Sequence, residues 1–219
     1  MPADWDADSA RLRRNLAAVL SSVRDDAENR VMPCVAMAAQ WQKTIMAGLT
    51  VPDGAYAGKF RGARGLENVG VSIDGRPALD PADVAGALIL FESRLQAVVS
   101  SLDAAFAVGE ELGADGFAAV IDLAAWAHSE WVRIHPFANG NGRTARIWAN
   151  LVLMRYGIAP VIRLRPRPDA GYAAASASAM TGDWAPTAAV FRAMVRQAMT
   201  PVPDIVMQKR PVPRKRRVR

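Results

Sequence analysis

Residues 135–146 read HPFANGNGRTAR and concentrate the residue types of a phosphate-binding site. Gly140 and Gly142 let a ligand approach the backbone closely, and the apolar run after them predicts that a helix begins here. The free N–H groups and partial positive charge of a helix N-terminus favour anions. Arg143 and Arg146 are three residues apart, on one face of that helix, and guanidinium groups pair with phosphate oxygens.

His135 lies immediately before this cradle. A positive helix end and two arginines should push the imidazole toward its neutral form, which a general base requires. Asn141 adds an amide to the phosphate donors, and Phe137 is expected to pack inward. The stretch lacks the Gly-Lys-Ser/Thr of a Walker A loop and the preceding strand of a Rossmann fingerprint. The simpler alternative is a tight turn into a helix with surface arginines.

The stretch resembles the motif of the Fic family, His-x-Phe-x-Asp/Glu-Gly-Asn-Gly-Arg-x-x-Arg. The matching positions are His135, Phe137, Gly140, Asn141, Gly142, Arg143 and Arg146. AGKFRGARGLENVGVSI resembles the flap hairpin of that family, and GYAAASASAMTGDWAPTAAVFRAMV resembles its closing helices. The resemblance covers about residues 31–199.

The resemblance implies an all-α fold, a Fic-type bundle of six to eight helices with a small β-hairpin flap. It implies transfer of AMP from ATP to a Ser, Thr or Tyr hydroxyl of a target protein. His135 would take the proton of that hydroxyl, the Gly140–Gly142 backbone and Asn141 would hold the α-phosphate, and Arg143 and Arg146 would hold the outgoing phosphates. The residues that would align the target backbone are those of the flap, Val69, Gly70, Val71, Ser72 and Ile73. A weak or inactive nucleotide-binding module on the same fold, or transfer of a different phosphate-containing group, are the alternatives.

Asn139 departs from the family pattern, because the family has Asp or Glu there to contact the Mg²⁺ that bridges the phosphates. Mg²⁺ prefers one or two carboxylates together with phosphate oxygens. Asn keeps a carbonyl oxygen and loses the charge, while the triphosphate brings charge of its own. We therefore expect Mg²⁺ as the cofactor, a weakened affinity for it, and retained chemistry.

Fic proteins are often blocked by a helix with Ser/Thr-x-x-x-Glu-Gly/Asn, whose Glu competes for the second arginine. Glu28-Asn29 has Arg24 at the hydroxyl position, and Glu67-Asn68 has Ala63, so neither site fits. The expected partners are ATP and a protein substrate. An inhibitor would be a separate small antitoxin-like protein, or there is none, and a toxin–antitoxin pair is one biological setting.

The periodicity of apolar residues and the stop signals predict seven helices. They are placed at about 9–29, from after Met32 to Gly48, from Asp80 to about Gly109, 115–133, 141–156, 169–180 and 186–199. Residues 50–79 are predicted to be loop, with NVGVSI as one short strand or hairpin. The domain organisation predicted is an N-terminal helix in 1–30, a Fic domain in 31–200 and a disordered basic tail in 201–219.

The net charge of +6 arises in the tail, since residues 209–219 hold seven positive charges and no negative one, which leaves residues 1–208 at −1. The tail could bind nucleic acid, which is otherwise not expected as a partner. The acidic N-terminus lacks the pattern of a signal peptide, and ALILFESRLQAVV is expected to be too charged and too short to span a bilayer. These features predict a cytoplasmic protein without a membrane partner.

Two further features are expected to be structural. His128 lies among apolar residues of a helix and is expected to be a hydrogen-bonded core group. Two histidines seven residues apart, without clustered acids and with Cys34 as the single cysteine, do not make a zinc site. Trp126 and Trp148 are expected in the core, and Trp131 at its edge.

Overall fold

The computed structural model describes residues 3–73, 75–169 and 171–200. The described residues form seven α-helices and one two-stranded sheet, which confirms the predicted all-α fold with a hairpin. The elements are α1 (Ala10–Glu28), α2 (Val35–Met46), β1 (Ser72–Ile73), β2 (Arg76–Pro77), α3 (Pro81–Ala105), α4 (Ala114–Ile134), α5 (Asn141–Arg155), α6 (Tyr172–Ala179) and α7 (Ala185–Met199), with a short 3-10 helix at Gly54–Tyr56. The predicted disordered tail lies outside the described residues.

Local signals set most of the helix boundaries. The side chain of Ser9 accepts a hydrogen bond from Leu12 N at the start of α1. Asp80 caps α3 in the same way through Ala82 N, with Pro81 in the first turn. Such caps satisfy N–H groups that have no partner within the helix.

α4 lies at the centre of the bundle and contacts α3, α5, α6 and α7. Because neighbours surround it, both of its faces are buried, and Trp131 is fully buried rather than at the edge of the core. Its indole N–H donates to Thr144 Oγ1 of α5 at 2.8 Å. Trp148 is also fully buried, and its ring packs against Trp131 with centroids 5.6 Å apart. This contact joins the two helices that flank the HPFANGNGRTAR stretch.

α1 packs against α5 and α2, with Leu12, Leu16 and Val23 among its buried residues. The side chain of Asn15 on α1 also donates to Ile45 O at 3.0 Å and Ala47 O at 2.8 Å, at the end of α2. The first helix therefore shares one core with the rest of the described chain.

Among the helices of the described residues, α3 alone is long and apolar enough to cross a membrane. The stretch ALILFESRLQAVV belongs to this 25-residue helix, and the expectation that it does not span a bilayer stays a prediction. The support for a membrane span is weak, since a helix that packs one face into a protein core passes the same test. α3 packs such a face inward, with Val84, Leu88 and Phe91 buried.

Candidate active site

His135 ends α4 in the left-handed conformation, with φ 51° and ψ 56°. Its Nδ1 lies 3.0 Å from the carbonyl oxygen of Val132. A carbonyl oxygen only accepts hydrogen bonds, so Nδ1 must carry the proton and Nε2 must hold the lone pair. Nε2 has no hydrogen-bond partner among the described residues and is therefore available to accept a proton.

The pKa of His135 is lowered to about 4, mainly because burial disfavours the charged imidazole. The hydrogen bond to Val132 opposes this change, and the charge of Arg61 adds to it. The imidazole is therefore neutral at physiological pH, as the sequence predicts. The cause differs, because burial and Arg61 act here in place of Arg143 and Arg146.

The loop between α4 and α5 is closed by Asn141. Its Oδ1 accepts from Phe137 N at 2.8 Å and its Nδ2 donates to Phe137 O at 2.8 Å. Asn141 is 2% exposed, and the ring of Phe137 is fully buried against Phe60 and Trp131. The sequence placed the amide of Asn141 among the phosphate donors, whereas the structure commits this amide to the shape of the loop.

Two glycines leave the backbone at the start of α5 without side chains. Gly140 has φ 89°, which disfavours any side chain, and a Cβ there would lie 3.2 Å from Met46 Cε. A Cβ on Gly142 would lie 3.3 Å from Nη1 of Arg146. The backbone at the helix N-terminus is therefore bare, and its first N–H groups have no intrahelical partners.

Arg143 is 5% exposed and lies close to Gly140. Its Nη1 donates to Trp5 O at 2.7 Å, and its Nη2 donates to Asn139 Oδ1 at 2.6 Å and to Asp6 Oδ1 at 3.3 Å. Burial lowers the pKa of Arg143 to about 10, so the guanidinium stays charged at neutral pH.

Arg146 is also buried, and its guanidinium extends past Gly142 toward α6. It donates from Nη2 to Leu164 O at 2.8 Å and from Nη1 to Tyr172 Oη at 3.2 Å. Its Nε is buried and has no hydrogen-bond partner among the described residues. Both arginines thus lie at the two glycines of the helix start, and one buried N–H donor remains unused.

His128 is fully buried, as the sequence predicts. Its Nε2 and Tyr172 Oη are 2.6 Å apart, and Tyr172 also accepts from Arg146. Burial and the charge of Arg146 lower the pKa of His128 to about 3, so this ring stays neutral. His128 is therefore linked to Arg146 through the hydroxyl group of Tyr172.

Asn139 uses both ends of its side chain within the protein. Its Oδ1 accepts from Arg143, and its Nδ2 donates to Asp6 Oδ2 at 2.8 Å. The described residues contain no cluster of three or more His, Cys, Asp or Glu side chains that could hold a metal ion. The side chains at this site therefore fit Mg²⁺ only if phosphate oxygens supply most of its ligands. The carbonyl oxygen of Asn139 would then be one ligand from the protein.

The flap residues meet His135 through Arg61, which the sequence analysis did not identify. Arg61 is 1% exposed and donates to the carbonyl oxygens of Ile134, His135, Val69 and Leu79 at 2.8–3.2 Å. The backbone N–H of Arg61 also donates to Pro136 O at 2.7 Å. One buried guanidinium thus ties both ends of the flap to the end of α4.

The predicted flap residues lie where the chain turns back over this arginine. Ser72 and Ile73 form β1, which pairs antiparallel with Pro77 and Arg76 of β2. Gly70 and Ser72 are exposed, whereas Val69, Val71 and Ile73 are half-buried. The hairpin therefore presents a short exposed backbone stretch close to the base of the His135 loop.

Three more residues at the site, Gln42, Arg165 and Asp6, could not be identified from the sequence. Gln42, fully buried on α2, donates to Asn139 O at 3.2 Å, and Arg165 donates to Asp6 O at 2.6 Å. Asp6 itself contacts Asn139 and Arg143 from 133 and 137 residues away. The only sequence signal was the acidic character of the N-terminus.

Comparison with known families identifies the same stretch. A family model described as the Fic/DOC family matches residues 37–153, just over half of the chain. A protein named protein adenylyltransferase Fic from Nematostella vectensis is 54% identical over 50 residues, which are 22% of this chain and 12% of that protein. The protein adenylyltransferase fic-1 of Caenorhabditis elegans is 48% identical over 66 residues, 30% of this chain and 13% of that protein. The matches span about an eighth of the length of these relatives.

Two solved structures have the same fold. A Fic domain containing signaling protein from Bacteroides thetaiotaomicron superposes with a TM-score of 0.55 at 19% identity, covering 86% of this chain and 66% of that chain. Fic-1 of Caenorhabditis elegans, residues 134–508, superposes with a TM-score of 0.59 at 20% identity, covering 88% and 51%. These likenesses show the fold.

Proposed function

Because the chain belongs to the Fic/DOC family, we propose that it is a protein adenylyltransferase, which moves AMP from ATP to a Ser, Thr or Tyr hydroxyl of a target protein. The observation that carries the proposal is His135, a neutral imidazole with Nε2 available, next to a helix N-terminus that holds two arginines. The names of the relatives from Nematostella vectensis and Caenorhabditis elegans support the same activity.

In the proposed reaction, His135 Nε2 takes the proton of the target hydroxyl. The hydroxyl oxygen forms a bond to the α-phosphorus of ATP, the bond from that phosphorus to the bridging oxygen of the β-phosphate breaks, and pyrophosphate leaves. Nδ1 keeps its proton and its bond to Val132 throughout, which fixes the orientation of the ring. The partly buried position of His135 lowers its pKa and so keeps the base unprotonated well below neutral pH.

The phosphates would bind at the start of α5. Backbone N–H groups at Asn141 and Gly142 suit the α-phosphate, since a helix N-terminus favours anions. Arg143 and Arg146, whose guanidinium groups lie at Gly140 and Gly142, would hold the outgoing phosphates. Charged hydrogen bonds from buried guanidinium groups stabilise the charge that develops on the leaving pyrophosphate.

The target segment would pair with the flap residues 69–73, of which Gly70 and Ser72 are exposed. Main-chain hydrogen bonds to such an edge bring affinity without demanding a particular sequence. Because Arg61 joins the flap to His135 O, the same residue would fix the distance between the target backbone and the base.

Mg²⁺, when bound with the triphosphate, supplies charge neutralisation at the phosphate oxygens. Asn139 would offer its carbonyl oxygen after release from Arg143. Asn139→Asp restores a carboxylate, so the Mg²⁺ concentration for half-maximal ATP binding and for half-maximal activity should both fall. An unchanged or higher requirement in titrations of both would count against Asn139 as a ligand.

The test of the function uses ATP labelled at the α- or at the γ-phosphate, with Mg²⁺ and a cell lysate as target source. Label that enters protein from α-labelled ATP only, and is lost with His135→Ala, is the expected result. Label from the γ-position only would mean phosphoryl transfer. No label from either, with ATP binding intact, would favour a nucleotide-binding module without catalysis.

A further inference from the structure

The chain just before α1, which we call the N-terminal segment (Asp4–Asp8), lies across the residues that would bind phosphate. Its backbone oxygens accept from two arginines, Trp5 O from Arg143 at 2.7 Å and Asp6 O from Arg165 at 2.6 Å. The carboxylate of Asp6 accepts from Arg143 at 3.3 Å and from Asn139 at 2.8 Å. Both terminal nitrogens of Arg143 are therefore bound to the segment.

Other contacts hold the segment in this place. The N–H of Asp4 donates to Thr50 O at 3.0 Å, and the N–H of Thr50 donates back to the carboxylate of Asp4. The ring of Trp5 stacks on Tyr56 with centroids 5.9 Å apart. At its other end, Asp8 is followed directly by Ser9, which caps α1. The segment is thus attached on both sides of Asp6.

The partners of Asp6 indicate what its carboxylate replaces. Its two oxygens face N–H donors, those of Asn139 and Arg143. A metal ligand would instead lie among other oxygen acceptors, and the described residues form no cluster of acidic side chains around Asp6 that could hold a metal ion. The carboxylate and the two backbone oxygens therefore occupy donors of the kind that bind a phosphate.

We propose that the N-terminal segment is a built-in competitor of ATP, which occupies Arg143 and Arg165 and must be displaced before the triphosphate can bind. The proposal rests on the proposed function, since it takes Arg143 as a phosphate ligand; Arg165 enters here as the second arginine that the segment occupies, through Asp6 O. The segment reaches the first arginine of the motif, whereas Arg146 is bound to Leu164 and Tyr172. It is therefore a different device from a helix with a glutamate directed at the second arginine.

The contacts of the N-terminal segment with the arginines are weak enough for a nucleotide to displace it. The side chain of Asp6 is 66% exposed, and exposed ion pairs contribute little. Loss of this one carboxylate should therefore tighten ATP binding roughly twofold to fivefold. Loss of the whole segment, with its backbone contacts to both arginines, should tighten it by about tenfold or more.

The test measures the dissociation constant of ATP by calorimetry, with and without MgCl₂. Four proteins are compared: the full chain, Asp6→Ala, a chain without residues 1–8, and Asp25→Ala. Asp25 is an exposed acid at the other end of α1, so its variant matches the change in charge and leaves the site untouched. Ser9 is retained in the shortened chain, which preserves the cap of α1.

Tighter ATP binding by Asp6→Ala and by the shortened chain, with no change for Asp25→Ala, is the result we expect. Equal affinities in all four proteins would overturn the proposal and leave the proposed function standing. Weaker binding of Mg-ATP to Asp6→Ala, with ATP alone unaffected, would make Asp6 a metal ligand and also overturn it. Failure of all four to bind ATP would refute the proposed function itself.

Discussion

Replacing Arg61 with methionine should loosen the flap and destabilise the protein together. Arg61 is 1% exposed and donates to the carbonyl oxygens of Ile134, His135, Val69 and Leu79. In the described part of the chain, no carboxylate forms a salt bridge with it, so these carbonyls are its compensation for burial. Burial lowers the pKa of its guanidinium, which agrees with this incomplete compensation.

The magnitude follows from what each change removes. A hydrogen bond to a charged group contributes about 1.5–3 kcal/mol, so four would amount to at most about 12 kcal/mol. Removing the buried charge also removes its desolvation penalty, which offsets most of that sum. We expect a net loss of about 3–5 kcal/mol in the free energy of unfolding, because each buried carbonyl oxygen left without a donor costs about 1–3 kcal/mol. That is a large share of the roughly 5–15 kcal/mol typical of a domain.

The assay is urea unfolding followed by tryptophan fluorescence, together with limited proteolysis of residues 62–79. Arg64→Met is the matched control, since Arg64 is an exposed arginine three residues further on. Arg61→Met should lower the free energy of unfolding and speed cleavage of the flap, while Arg64→Met should do neither. A loss below about 1 kcal/mol for Arg61→Met, within the range of surface substitutions, would refute the reasoning.

Four further outcomes follow from the site. Because burial lowers the pKa of His135 to about 4, the acidic limb of the kcat/KM profile should lie near pH 4. By the same linkage, the free energy of unfolding should fall as pH drops from about 6.5 toward 4, since the unfolded chain binds protons there that the folded chain does not. Asn141→Asp places an acceptor against Phe137 O and should cost about 3 kcal/mol in urea unfolding. Tyr172→Phe removes a hydrogen-bond partner of Arg146, so KM for ATP should rise severalfold with little change in kcat.

Each of these has its own control. An acidic limb near pH 6.5 would mean that the base is not buried as described. Asn68→Asp, at an exposed position, should leave stability unchanged, and an equal loss in both asparagine variants would contradict the role of Asn141 in the loop. A fall in kcat without a change in KM for Tyr172→Phe would place this tyrosine at the reaction step instead.

The helices could be predicted because their signals are local. Asp80-Pro81 marks the start of α3, and Gly157 follows the end of α5 within two residues. The motif likewise identified the bare helix start, since Gly140 and the two arginines lie within seven positions of each other. In these cases neighbouring residues determine the backbone, so the sequence carries the information directly.

The rest depended on contacts between distant residues. KFRGAR contains two arginines, and only the positions of residues 69, 79, 134 and 135 decide that Arg61 turns inward. Asn141 fits either a phosphate contact or a loop brace by residue type alone. The spacing of Trp131 from Trp126 predicts a position at the edge of the core, whereas four other helices surround α4 and bury Trp131.

The separation of contacting residues along the chain has a consequence for the order of folding. α4 and α5 are joined by the six residues 135–140 and pack closely, so little loop-closure entropy opposes their pairing. The bonds from Arg143 to Trp5 and from Asn139 to Asp6 close loops of more than 130 residues. Contacts of low sequence separation form early and distant ones late. We therefore expect His135, the proposed general base, and the proposed phosphate site to assemble in the folding nucleus. The N-terminal segment should dock onto them last, although it is the first part of the described chain to be synthesised.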